Sequence, residues 1–447
     1  MASPFAAMAQ RALRARRWLL LGNAGPALAR FAPDDLATPD ASGDSAAAVQ
    51  AWAFWRKAAL IEEALADLRQ VRVARHHQSM DVPQALGELG IEPDAETAKE
   101  LVQALSRVLT TPAQRLGSAW AQVVELSAEQ GAPRLVDEGD RAAAGRLLAI
   151  TEEPVRDVLT WATRRLGRTR RVRLALPDVL RALRNPTLDE VFRPAEDPWP
   201  ALGCWRAALG LELGADAETA DSPHAWFGSW ALRGQERRVV GTAGWPGALR
   251  LRFALQGLGR LDLLAEAGTA ALLPGHRGSA QLMPALYPTF LAERGFQQRA
   301  LGFTAASADS ARLAALGELL LQRTQAAIVQ VWAIFEQTRE VAAVFESAAR
   351  FSAALYAPVP PALAMLLASP WSANLAAWPV TSLAAAALVN QLREAFDQDH
   401  WRNPRCVPVL RELASRSGNE PLTALVPGEL ASHERHYARW VEESLGA

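Results

Sequence analysis

The sequence has few of the side chains that transfer protons or bind metals. Its 447 residues include 7 histidines, 3 tyrosines and 2 cysteines, and Lys57 and Lys99 are its only lysines. Two cysteines cannot build a disulfide framework, and the spacing of Cys204 and Cys406 fits no zinc motif. The shortage of these groups argues against an ordinary hydrolase, and the low cysteine content favours the cytoplasm.

Long apolar runs and a large excess of one charge are also missing. No stretch of about 18 uninterrupted apolar residues occurs, so we expect no membrane span. The formal net charge of -1 gives no overall electrostatic attraction to nucleic acid or to an anionic membrane. The densest basic run, from Arg164 to Arg173, contains no aromatic residue and is typical of a solvated face. We therefore expect no nucleic-acid partner.

Helical periodicity is the strongest positive signal in the sequence. Apolar residues recur at helical spacing from Ala46 to about Val73, and again after Asp94, which is a good N-cap residue. The same periodicity predicts three further helices, at Pro112–Gln130, Asp140–Leu148 and Pro154–Leu166. These predictions make residues 1–200 an N-terminal helical lobe.

The pattern changes beyond residue 200. Between Ala225 and Leu255 glycines separate three β-rich runs, at Trp226–Trp230, Arg238–Val240 and Leu249–Phe253. We interpret these runs as a small antiparallel sheet of about three strands, at about 225–255, within a second lobe that covers residues 201–447. Past Leu261 the pattern is helical again. The sequence therefore predicts a mainly α-helical protein with one small sheet.

A segment just beyond this sheet carries a resemblance to a known family. Residues 263–272 open a helix in which four residues stand at motif positions: Glu266, Ala267, Gly268 and Ala270. The segment resembles the His-Glu-x-Gly-His-Ala helix of zinc metallopeptidases of the thimet oligopeptidase and oligopeptidase F type. In that motif two histidines at i and i+4 bind zinc, and the glutamate between them is the general base. This sequence has Ala265 and Thr269 at the two ligand positions.

Neighbouring segments extend the resemblance over roughly residues 200 to 420. Residues 290–296 are similar to the end of the helix that supplies the third zinc ligand, a glutamate, and the ligand position falls at Leu286. No glutamate lies within two residues of Leu286. Residues 390–405 resemble the closing segment of the family. Residues 371–378 match the region where the family carries tyrosines that support the oxyanion, and they contain none.

The resemblance implies a bilobed, gluzincin-like helical fold with a degenerate metal helix at about residues 261–273. None of the three ligand positions holds a residue that ligates zinc, so we expect no metal and no other cofactor. Without the metal, Glu266 is a vestigial general base, and we expect no catalytic residue. The favoured function is that of an inactive metallopeptidase-like protein that binds a peptide or protein partner through the retained cleft or its surface.

Candidate binding residues lie in and after the predicted sheet. Trp226, Trp230 and Trp245 fall in the strand region, whose edge binds the substrate backbone in the resembled family, and His276 follows the degenerate helix. Each tryptophan could equally belong to the core, and His276 could be a turn residue. Two other functions stay open: a non-metal enzyme with a cleft rebuilt around Glu266 and His276, and a structural scaffold subunit of a larger complex.

Overall fold

A short hairpin opens the part of the chain that the structure describes. The computed structural model describes residues 71–446, with gaps at 76–77, 93, 130–135, 166–173, 184–198, 212–216, 223–229, 233–236, 243–246, 268–277, 339, 341–347, 369–376 and 418. The helix predicted from Ala46 therefore lies almost entirely outside the described residues. Its expected end is a strand instead: β1 (Val73–Arg75) pairs antiparallel with β2 (Gln78–Met80). Val73 is buried between two exposed neighbours, which is the alternation of a strand.

Helices follow the hairpin, as the periodicity predicts. They are α1 (Val82–Ile91), α2 (Ala95–Glu129), α3 (Glu138–Arg165), α4 (Leu176–Leu183) and α5 (Trp199–Ala208). The predicted N-cap of α2 is confirmed, because the backbone N–H of Thr97 donates to a carboxylate oxygen of Asp94 at 2.7 Å. Asp81 caps α1 in the same way, accepting from the N–H of Gln84 at 2.8 Å.

Two proline residues that were expected to begin new helices lie inside continuous ones. Helix α2 runs through Pro112, and α3 runs through Pro154. A proline in a helix removes one backbone hydrogen bond, the one to the carbonyl four residues earlier, which is Ile150 for Pro154 and Val108 for Pro112. Farther back in α3, the hydroxyl of Thr151 donates to the carbonyl of Leu147 at 2.7 Å, and Arg323 donates to the carbonyl of Leu148 at 2.9 Å.

The second sheet lies slightly earlier in the chain than predicted. Its strands are β3 (Ala217–Ser222), β4 (Trp230–Leu232) and β5 (Arg237–Thr242), in the order β3-β5-β4. The expected antiparallel pairing is found between β4 and β5, where Trp230 lies opposite Val240. Strand β3 adds a parallel neighbour to β5, with Thr219 opposite Val239.

The strand predicted at Leu249–Phe253 is wrong, because these residues begin helix α6 (Gly247–Ala267). The alternation of leucine and arginine in this run suggested one solvated face. Arg252 is in fact buried with Leu251 and Phe253 on either side of it, and its charge is paired inside the protein. Helix α6 is described as far as Ala267, so the rest of the predicted metal helix lies outside the described residues.

Beyond α6 the described chain is helical, which confirms the mainly α-helical class. The helices are α7 (Leu282–Thr289), α8 (Ala308–Thr338), α9 (Ala348–Leu355), α10 (Pro361–Ala368), α11 (Trp378–Phe396), α12 (Cys406–Arg416), α13 (Leu422–Leu425) and α14 (Leu430–Gly446). Short 3-10 turns lie at Ser279–Gln281, Phe290–Ala292 and His400–Arg402, and a π-helical turn lies at Phe296–Ala300.

Four long helices, α3, α8, α11 and α14, pack on one another and enclose a common apolar core. Helix α7 packs between α6 and α11, and α6 also contacts α12 and the strands β4 and β5. The core includes buried side chains from both sides of residue 200, and the lobe boundary at that residue remains a prediction. No helix among the described residues is long and apolar enough to cross a membrane.

Candidate functional site

The structure describes part of the predicted site. Ala265 and Glu266 lie near the described end of α6, where Ala265 is half-buried and Glu266 is exposed. Leu286 lies on α7 and is fully buried. Trp230 begins strand β4. Four of the predicted residues lie outside the described ones: Thr269, Trp226, Trp245 and His276.

The carboxylate of Glu266 faces a cation from the closing part of the chain. Nε of Arg411, on α12, lies 3.8 Å from Oε1 of Glu266, and the two side chains are 54% and 37% exposed. At this distance and exposure the pair is an ordinary surface ion pair, worth roughly 0–1 kcal/mol. Glu266 therefore stays accessible to a binding partner.

The described ligand positions do not fit a zinc ion. Zinc in proteins is bound by nitrogen, sulfur or oxygen donors, and the side chains of Ala265 and Leu286 have none. Leu286 is enclosed among other buried side chains of α7, among them Met283 and Tyr287. Within the described ranges, no group of three or more His, Cys, Asp and Glu side chains is placed to hold a metal ion. No catalytic step through zinc follows from these residues.

The backbones of helices α6 and α7 are in direct contact before the two ligand positions, at Gly259 on α6 and Met283 on α7. A Cβ atom on Gly259 would lie 2.4 Å from the carbonyl oxygen of Met283, far inside van der Waals contact. Only glycine allows this approach. The contact sets α7, and with it Leu286, directly alongside α6.

A buried polar cluster joins the same two helices, and sequence reasoning missed it. Asp262 on α6 accepts hydrogen bonds from Nη1 and Nη2 of Arg206, on α5, at 2.8 and 2.7 Å. The hydroxyl of Tyr287, on α7, donates to Oδ2 of the same carboxylate at 2.6 Å. The available signal was Asp262 itself, a charge flanked by Leu261 and Leu263 just before the motif positions that begin at Ala265.

Burial and charge shift the pKa values within this cluster. Burial lowers the pKa of Arg206, but attraction to Asp262 and the hydrogen bonds to it outweigh burial, so the net pKa is raised. Burial raises the pKa of Tyr287 well above its ordinary value, and the negative charge of Asp262 raises it further. The arginine is therefore held charged and the tyrosine is held protonated, which are the states that donate to the carboxylate.

A second buried network anchors the first half of α6. Nε and Nη2 of Arg252 donate to the two carboxylate oxygens of Glu318, on α8, at 2.7 and 3.2 Å, and both side chains are 4% exposed. Nη1 of Arg252 also donates to Gln256 at 2.9 Å. Gln322 donates to Glu318 at 2.9 Å and accepts from the hydroxyl of Tyr437, on α14, at 2.6 Å. Helix α6 is thus tied through buried polar groups to α8 and α14.

The structure brings together the two segments that carried the rest of the resemblance. Glu293, which follows α7, accepts from Nε1 of Trp401 at 2.8 Å and from Nη2 of Arg393 at 3.0 Å. Nε1 of Trp205 donates to the backbone carbonyl of Trp401 at 2.7 Å. Burial raises the pKa of Glu293 above its ordinary value, although Arg393 and Trp401 oppose that effect. The closing segment therefore rests on the end of the α7 region.

Comparison with known proteins identifies the fold. No family model matches this sequence, and no curated protein matches it. Among solved structures, PZ peptidase A in complex with an inhibitor superposes with a TM-score of 0.62 at 10% identity, covering 89% of this chain and 79% of that chain. A protein assigned as an oligoendopeptidase F gives 0.61 at 12% identity, covering 99% and 84%.

A second protein assigned as an oligoendopeptidase F, from Bacillus anthracis str. Ames, gives a TM-score of 0.54 at 10% identity, covering 89% of this chain and 77% of that chain. The chain therefore has the helical fold of oligopeptidase-type metallopeptidases, as the motif context predicts. At such low identities the likeness is one of fold, and the activity has to be argued from the residues at the site.

Proposed function

We propose that this protein is a catalytically inactive, metallopeptidase-like protein that binds a peptide or protein partner through the cleft of its fold. The observation that carries the proposal is Leu286, a fully buried apolar side chain at the expected third ligand position. Ala265, at the first ligand position, also has no donor atom. Peptide hydrolysis in this fold needs a zinc ion to polarise water, and neither Ala265 nor Leu286 can ligate one.

Without zinc, Glu266 has no activated water molecule on which to act as a general base. A general base must have an acidic proton within hydrogen-bond reach, and a water molecule without a metal is a poor acid. The carboxylate pairs with Arg411 on a solvated surface. We therefore assign Glu266 to binding or to surface solvation.

The partner site is proposed in the cleft between the predicted lobes, residues 1–200 and 201–447. Trp230 on β4 is its described candidate, together with Trp226, Trp245 and His276. Aromatic side chains give large contact areas at low entropic cost, which suits peptide binding. The low content of cysteine favours a cytoplasmic protein, and the lack of donor atoms on Ala265 and Leu286 favours one that acts without a cofactor.

Zinc stoichiometry is the decisive measurement. Purified full-length protein is dialysed against zinc, freed of loose metal and analysed by atomic absorption, and peptide cleavage is followed with a mixed peptide library. We expect far less than one zinc per chain and no cleavage. The double variant A265H/T269H restores an i, i+4 histidine pair and provides the positive control for metal uptake.

Three outcomes would replace the proposal. About one tightly bound zinc per chain, with cleavage that a chelator abolishes, would make the protein an active metallopeptidase. Turnover that resists chelators but disappears in Glu266→Gln would instead support a non-metal enzyme. A protein that binds no peptide but purifies as part of a stable complex would favour the scaffold function.

A further inference from the structure

We propose that the cluster of Arg206, Asp262 and Tyr287 serves as a metal-free cross-link that fixes α7 against α6 beside the degenerate motif. This inference rests on the proposed function in one respect, namely that no zinc ion joins the two helices. It goes further by assigning the joining role to three named side chains.

Asp262 lies on the helix stripe that the motif uses. Positions three and four residues apart share one face of an α-helix, so Asp262 shares its face with Ala265 and Glu266. Ala265 is about one turn, roughly 5 Å, farther along the axis. On the other helix, Tyr287 is the immediate neighbour of Leu286. The cluster therefore joins the same two segments that carry the lost ligand positions, one turn before Ala265 on α6 and next to Leu286 on α7.

The charges of the cluster balance inside the protein. The side chains of Arg206 and Asp262 are 5% and 14% exposed, and Tyr287 is 1% exposed. Both carboxylate oxygens accept from the guanidinium group, and Oδ2 also accepts from the tyrosine hydroxyl. Bidentate, charge-assisted hydrogen bonds of this kind are shorter and stronger than neutral ones. Removing one member would leave a buried charge without full compensation, which makes the cluster an effective cross-link.

The backbone contact and the cluster act together. Gly259, one turn before Asp262, meets Met283, one turn before Tyr287. Two successive turns of α6 are thus attached to two successive turns of α7, first by close packing and then by hydrogen bonds. Two such points define both the separation of the helices and their relative rotation.

The test removes the hydroxyl of Tyr287, which connects α7 to Asp262 on α6. In Tyr287→Phe, we expect the Tm to fall by about 2–4 °C, and hydrogen exchange of the α7 amides to become at least about tenfold faster. Tyr437→Phe is the matched control, because it also removes a fully buried hydroxyl, but one that donates to Gln322 between α8 and α14. The control should lower the Tm without changing exchange in α7. Neither zinc nor a chelator should change the Tm of the wild-type protein.

A mutant cycle identifies the acceptor. Because Asp262→Asn leaves Arg206 buried beside a neutral group, the cycle uses the double replacement Arg206→Met/Asp262→Leu, with and without Tyr287→Phe. We expect Tyr287→Phe to have less than half its effect on α7 exchange once Asp262 is gone. Unchanged α7 exchange in Tyr287→Phe, or fully additive effects in the cycle, would overturn the inference alone. One bound zinc per chain that raises the Tm would overturn the proposed function and, with it, the claim that the cross-link is metal-free.

Discussion

Burial moves the pKa of one histidine in this protein, His400, well away from its value in water. His400 is 1% exposed, and its ring lies edge-on to Phe290 with 5.2 Å between the centroids. Burial and the nearby charge of Arg393 lower the pKa of His400 from 6.5 to about 4. In the unfolded chain His400 takes up a proton near pH 6.5, whereas in the folded chain it stays neutral down to about pH 4. The stability that comes from neutral His400 is therefore present above pH 6.5 and is lost as the pH falls toward 4.

We predict that His400→Gln weakens this acid sensitivity. The shift in pKa corresponds to about 3 kcal/mol of stability, lost between pH 6.5 and pH 4 in the wild type only. The measurement is urea denaturation of both proteins at several pH values, and the quantity compared is the difference in the free energy of unfolding. His436→Gln is the control. Identical pH profiles for wild type and His400→Gln would contradict the prediction.

Gly259 is the second residue whose identity has a measurable consequence. Gly259→Ala places a methyl group 2.4 Å from the carbonyl of Met283, so the two helices must separate. We expect a loss of stability of about 3 kcal/mol, because neither backbone can yield locally. Gly145→Ala is the matched control: it lies in the exposed middle of α3 with no atom within 4 Å of its new Cβ, and it should stabilise by about 0.5–1 kcal/mol. Equal effects at both sites would show that the contact is looser than described.

At the scale of the helices, the buried pair of Arg252 and Glu318 decides how α6 is attached to α8. We predict that Arg252→Met costs about 3–5 kcal/mol, because it leaves the Glu318 carboxylate buried without its cation. The double variant Arg252→Met/Glu318→Leu should recover more than half of that loss, since an apolar pair needs no compensation. Chemical denaturation provides both numbers, and a double variant no better than Arg252→Met would refute this account.

The helices show what the sequence allowed and where it failed. Apolar periodicity and the N-cap at Asp94 predicted α2 and α3, because both signals depend on neighbours along the chain. The failure at Arg252 has another cause. Its partner Glu318, on α8, neutralises a charge that local patterns treat as solvated. Such partners lie far apart in sequence and have no local signature.

The candidate site shows the same difference between features with a local sequence signal and features built from distant residues. The motif context placed Ala265, Glu266 and Leu286 on two helices that pack together, as the structure has them. The cluster around Asp262 was missed, because Arg206 comes from α5, more than fifty residues earlier in the chain. The proposed roles of Trp230 and of the other aromatic residues near the sheet stay predictions.

At the scale of the whole molecule, the core crosses the predicted lobe boundary. Helix α3 packs against α8, α11 and α14. The fully buried Arg323 of α8 donates to the carbonyl of Leu148 on α3 and to that of Ala354 on α9. Contacts of this kind couple the stability of residues before 200 to that of residues after it.

We therefore predict a single cooperative unfolding transition for the described part of the chain. Far-UV circular dichroism reports the helices, and tryptophan fluorescence reports residues on both sides of position 200, such as Trp120 and Trp401. The two urea denaturation curves should coincide within error. Two resolved transitions would instead indicate that residues 1–200 and 201–447 unfold independently.

The contact between Gly259 and Met283 also determines how α7 can move. Two backbones that already touch cannot approach or slide, but they can turn about the point of contact, which makes it a pivot. The Tyr287 end of the helix lies about 6 Å from this pivot, so a swing of about 10° would carry it sideways by about 1 Å. That displacement is enough to break the 2.6 Å hydrogen bond to Asp262. The hydrogen bond between Tyr287 and Asp262 therefore limits the rotation of α7 about this contact to a few degrees.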